Sequence, residues 1–121
     1  MGPSILATNK ELVMNTWHYS VESDQILYEA LSMLYGHNEN MLHFLLSSGS
    51  PCLRLSADNL KEQSSAFSSG QQLLIRIGLD IWDGSGGVHF NELYQTLDER
   101  NFQKMLLAML FLRSPQKAIL F

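Results

Sequence analysis

Between residues 80 and 92 the chain gathers oxygen donors of the kind that hold a hard divalent cation. Asp80, Asp83, Ser85 and Glu92 lie within thirteen positions, interleaved with Gly84, Gly86 and Gly87. Carboxylates, a hydroxyl and backbone carbonyls are the ligands calcium prefers, and glycine lets a chain turn tightly enough to aim them at one point. Nowhere else in the sequence do residue types and spacing name a chemistry so directly.

Over that dozen residues the chain resembles the EF-hand, the helix–loop–helix calcium site. The resemblance implies donors at loop positions 1, 3, 5, 7, 9 and 12, a glycine at 6 and a bidentate glutamate at 12. With Glu92 as the twelfth residue, Asp83 is third, Ser85 fifth, Gly86 sixth and Gly87 seventh. The first position then falls on Ile81, which has no oxygen to offer, and Asp80 stands one residue too early. His89 at the ninth is a poor ligand for a hard cation. A turn at the end of a helix accounts for the same residues. Glycines accept positive φ there, and Asp and Ser side chains bond nearby amides. The expectation is therefore a glycine hinge between two core helices, with a divergent calcium loop built on Asp80, Asp83, Ser85 and Glu92 as the alternative.

The remaining reactive residues form no constellation. His37 and His43 are six apart, whereas two ligands on one helical face stand three or four apart. Cys52 follows Pro51 with only His43 near it in sequence, and a nucleophilic thiol needs an adjacent base. A single cysteine rules out an internal disulfide and fits a reducing compartment. No catalytic residue and no cofactor are assigned. A small enzyme or ligand-binding domain would have to use an aromatic pocket near Trp17 or Trp82, and aromatics in a helical domain more often fill the core.

Composition narrows the partners. Residues 1–50 carry one base against five acids, and residues 51–121 are balanced. The eight lysines and arginines are scattered, which points away from nucleic acid, because phosphate binding needs a basic patch. The longest apolar run, Met105 to Leu112, is eight residues, well short of the roughly 20 that cross a bilayer. With no secretory pattern at the start, the expectation is a soluble cytoplasmic protein.

Helical periodicity runs through most of the chain. Residues 1–22 read as an irregular N-terminal arm, within which residues 9–19 fit either a short helix or an extended segment. Ser23 opens a helix that Gly36 stops. Asn38 caps a second from Glu39 to Leu46, and Ser56 caps a third reaching about Phe67. Ser68-Ser69-Gly70 reads as a break before a helix from Gln71 to Trp82, in which Gly78 suggests a close helix crossing. Asn91 to Leu97 is a short helix, and Asp98 caps the last. From Phe102 to Leu112 that helix is apolar on every face except at Gln103 and Lys104, as a central core helix or a subunit interface would be.

The fold expected is all-α: one compact domain over residues 1–121, an irregular bundle of five or six helices. The function expected is a non-catalytic module that binds a protein partner or a second copy of itself. The contact residues expected are Tyr28 and Tyr35, seven apart on one helix beside its acids, with Phe111, Leu120 and Phe121 at the apolar end of the chain.

Overall fold

The computed structural model describes residues 22–47 and 52–115. Of the segment expected as an N-terminal arm only Glu22 is described, at the start of α1; the rest of it, with Trp17, and the end of the chain, with Leu120 and Phe121, lie outside the described residues. Among the described residues six α-helices follow in order: α1 (Glu22–Leu34), α2 (Glu39–Leu45), α3 (Ala57–Gln63), α4 (Ser69–Asp83), α5 (Phe90–Thr96) and α6 (Glu99–Arg113). A single 3-10 turn, Ser64–Ala66, extends α3, and one antiparallel bridge joins Leu46 to Leu53. The domain is all-α, as its periodicity requires.

The caps are local chemistry. Asn38 Oδ1 accepts from the amides of Asn40 and Met41, Ser56 Oγ from Asn59, and Asp98 Oδ1 from Asn101. Each satisfies a first-turn N–H that has no intrahelical partner. The expected break at Ser68-Ser69-Gly70 is instead a helix start. Ser68 Oγ accepts from the Gln71 amide, and Gln71 Oε1 accepts from the Ser68 amide. This reciprocal pair draws Ser69 and Gly70 into the first turn of α4.

The centre of the bundle is α4. It buries Leu73, Leu74, Ile75, Ile77, Gly78 and Leu79, and packs against α1, α2, α3 and α5. Its Gly78 sits under Tyr35, whose hydroxyl would lie 2.0 Å from any Cβ there. α1 packs against both α4 and α6. Gly36, just past α1, lies beneath the Lys104 side chain of α6.

Of the two roles expected for the last helix, the structure departs from the first, a central core helix. Met105, Ala108 and Phe111 face the core, but Leu106, Leu107, Met109 and Leu110 are 43–61% exposed. The central position is already filled by α4, and α6 packs against α1 and keeps an apolar outer face.

Candidate functional site

Two features of the molecule could carry function: the glycine loop after α4, and the apolar surface beside it.

α4 ends because Gly84 takes a left-handed conformation, φ 78°, and its amide returns to the carbonyls of Leu79 and Asp80. The loop then folds back along the helix it has just left. Asp80 Oδ1 accepts from the amides of Gly86 and Gly87 at 2.7 and 3.2 Å, and Oδ2 accepts from Val88 at 3.1 Å. One carboxylate thus organises three successive loop amides. Asp83 has a smaller role, accepting from the amide and the hydroxyl of Ser85. Gly86 is buried so tightly that a Cβ there would fall 1.8 Å from the Arg76 carbonyl oxygen. Only glycine lets the two backbones approach this closely.

The fourth candidate, Glu92, sits in the first turn of α5 and meets Arg76. The guanidinium reaches both Glu92 oxygens at 2.9 Å. It also donates to the Gly86 carbonyl through Nε at 3.2 Å and to the Gly87 carbonyl through Nη2 at 2.6 Å. Glu92 Oε1 accepts in addition from the His89 amide at 2.8 Å. The bonded guanidinium, and after it the His89 amide, hold the Glu92 carboxyl down to about 2.

The four acid and hydroxyl candidates therefore do not converge on a common point. Asp80 is spent on amides, Asp83 and Ser85 on each other, and Glu92 on Arg76. In calcium-loop register, the seventh-position carbonyl, Gly87, and the twelfth-position bidentate glutamate do come together, and what they close on is the Arg76 guanidinium. Among the described residues, no three of His, Cys, Asp and Glu form a group that could hold a metal ion. Arg76 is the residue sequence reading missed. Its signal is a lone cation flanked by the apolar residues Leu73, Leu74, Ile75, Ile77 and Leu79, sixteen positions before Glu92.

The contact residues expected from sequence are placed unevenly. Tyr28 is half-buried against the core. Tyr35 is a correction: it is 5% exposed, and its hydroxyl donates to the Leu74 carbonyl at 3.1 Å. Burial pushes its hydroxyl well above the usual tyrosine range. Phe111 is also a correction, 5% exposed and turned into the core with Met105 and Ala108. Leu120 and Phe121 lie outside the described residues. Cys52 is exposed, with Sγ 3.0 Å from Ser47 Oγ.

The surface that does stand out is formed by α5 and α6. A cavity of about 440 Å³ opens between them over α4, lined mainly by Ile77, Ile81, Val88, Leu93, Met105 and Met109. Among the described residues Asp80 is the one charged residue in its lining, and its oxygens already accept from the loop amides. Trp82 packs against the core and does not line this cavity. On the rim Phe90 is 80% and Tyr94 62% exposed, their rings edge to face at 6.2 Å. Beyond the rim runs the outer face of α6. No family model, no curated protein and no solved structure matches this chain.

Proposed function

We propose that this domain is a non-catalytic protein-interaction module, and that it binds through the apolar face shared by α5 and α6. A lone cysteine fits work in the reducing cytoplasm. The observation that carries the reading is the outer face of α6, where Leu106, Leu107, Met109 and Leu110 stand 43–61% exposed on consecutive turns. Single exposed apolar residues are ordinary on a protein surface, but a contiguous set beside an apolar groove marks a contact site. Phe90 and Tyr94 add the rigid aromatic area typical of binding surfaces. The helices below are held by ordinary caps and a filled core, so these side chains are not needed to hold the fold together.

The test compares the wild-type chain with Leu106→Glu/Leu110→Glu as bait in extract from the native host. Both positions are exposed, so the doubly charged variant keeps its helical circular dichroism. Wild type is expected to retain a protein, another copy of the chain included, that the variant releases. Equal retention by both baits, or none by either, would end the reading.

A further inference from the structure

We infer that the surface of α6 receives a second copy of this chain, with the two α6 helices packed antiparallel about a two-fold axis near Leu106. This rests on the interaction reading above and names its partner.

Spacing along α6 carries the first part of the argument. Glu99, Leu106 and Arg113 are seven residues apart and all are exposed. Seven residues complete nearly two turns, drifting by only about 20°, so the three lie on one side of the helix. Phe102, half-buried, and Met109, exposed, fall between them on that side. The outer face of α6 is thus a seam with an acid at its start, apolar residues along its middle and a base at its end. It is about 21 Å long from first to last residue. Two heptads are too short for a free-standing coiled coil but enough for one crossing between packed domains.

Charge selects both the partner and the direction. A parallel pair would set Glu99 against Glu99 and Arg113 against Arg113. An antiparallel pair centred on Leu106 sets each Glu99 against the other copy's Arg113, twice by symmetry, and opposes the two helix dipoles. Gln103 Nε2 already holds one Glu99 oxygen at 3.0 Å, which keeps the carboxylate on this face. Arg100 lies about a third of a turn away from the seam, on the side of Leu107, and does not cancel the pattern.

The area agrees. Among the described residues, Phe90, Tyr94, Leu106, Leu107, Met109 and Leu110 are the large apolar side chains that remain exposed. At roughly 100 Å² apiece the four on α6 present about 400 Å² and the two α5 rings beside the groove about 200 Å² more, so a standard stable interface of ~800 Å² per partner needs the α6 ridge and the neighbouring groove together. A two-fold contact must be self-complementary, and here a ridge of α6 side chains lies next to a groove of similar chemistry.

The test uses the full chain. Light scattering during size exclusion is expected to give twice the 13.7 kDa chain mass at tens of micromolar. Glu99→Arg alone and Arg113→Glu alone should each weaken the dimer about tenfold, because two surface pairs turn repulsive at once. The combined swap should restore it. On a Cys52→Ser background, Leu106→Cys should cross-link to itself under oxidation and Leu110→Cys should not. A monomer at these concentrations overturns the pairing. It leaves the interaction reading standing if extract protein is still released by Leu106→Glu/Leu110→Glu, and removes both if nothing is. A dimer that the combined swap fails to restore, or that Leu110→Cys links as fast as Leu106→Cys, overturns the antiparallel register.

Discussion

Glu92 meets Arg76 through two parallel hydrogen bonds, Nη1 to Oε2 and Nη2 to Oε1, each 2.9 Å long. The same guanidinium holds the Gly86 and Gly87 carbonyls, so one side chain of α4 fastens the loop and the start of α5. This gives the domain a specific acid sensitivity. The Glu92 carboxyl is lowered from 4.5 to about 2, so the unfolded chain takes up its proton first as pH falls. The stability from ionised Glu92 is complete above about pH 4.5 and is lost as pH falls towards 2. Urea unfolding of wild type and Glu92→Gln should therefore differ most at neutral pH, and the gap should narrow steadily below pH 4.5. A gap that stays constant down to the acid limit would mean that the pair does not hold the loop.

Asp80 is the structural acid of the same loop. Its two oxygens accept from the amides of Gly86, Gly87 and Val88. Removing an ionised acceptor that serves several amides leaves those donors poorly satisfied, and hydrogen bonds to charged groups contribute about 1.5–3 kcal/mol. Asp80→Ala is expected to cost about 2 kcal/mol in chemical denaturation. Because the carboxylate serves amides, millimolar calcium should raise the melting temperature of neither wild type nor the variant. A calcium-dependent rise in wild type that Asp80→Ala abolishes would reinstate a cation at this loop.

Two glycines of the loop should respond differently to the same substitution. At Gly84 an added Cβ meets nothing within 4 Å, and the penalty is that of a left-handed alanine, about 1 kcal/mol. At Gly86 the Cβ would meet the Arg76 backbone carbonyl at 1.8 Å, and a helix backbone cannot move aside as a side chain can. Gly86→Ala is expected to cost about 3 kcal/mol or more and to break the Arg76 contacts with the loop. Equal losses at the two sites, measured by thermal or urea unfolding, would show that close approach is not what Gly86 provides.

The elements of this fold are legible in the sequence wherever the determining chemistry is local. Asn38, Ser56 and Asp98 cap helices because each accepts an amide two or three residues ahead, and that reach is visible in one dimension. The cap at Ser68 is less legible, since Ser69 and Gly70 look like a break until Gln71 closes the reciprocal pair. Orientation is legible only where a helix is amphipathic. In α6 leucine and methionine recur on every side, so the sequence contains no phase to say that Met105, Ala108 and Phe111 point inward. That fact moved the candidate surface from Phe111 to Leu106 and Leu110. The candidate calcium loop misled for a related reason. Its donors are near in sequence, but the group that claims Glu92 is Arg76, a helix away.

Tyr35 and Gly78 supply the last test, because each explains the other. Gly78 is costly inside α4, by about 1 kcal/mol relative to alanine in an open helix. It is retained where the Tyr35 hydroxyl, buried and bonded to the Leu74 carbonyl, would stand 2.0 Å from a Cβ and Leu45 Cδ2 3.1 Å from it. Gly78→Ala should thus destabilise by about 2–3 kcal/mol despite the gain in helix propensity. Tyr35→Phe alone should cost about 1 kcal/mol for the lost hydrogen bond. Removing the hydroxyl also vacates the space the new methyl needs, leaving the ring carbon at 3.1 Å as a contact that can relax. The double variant is therefore expected to be more stable than the sum of the single losses predicts, by about 1 kcal/mol or more in a double-mutant cycle. Strict additivity would place the cost of Gly78→Ala on Leu45 or on the helix itself, and the tyrosine would no longer account for the glycine.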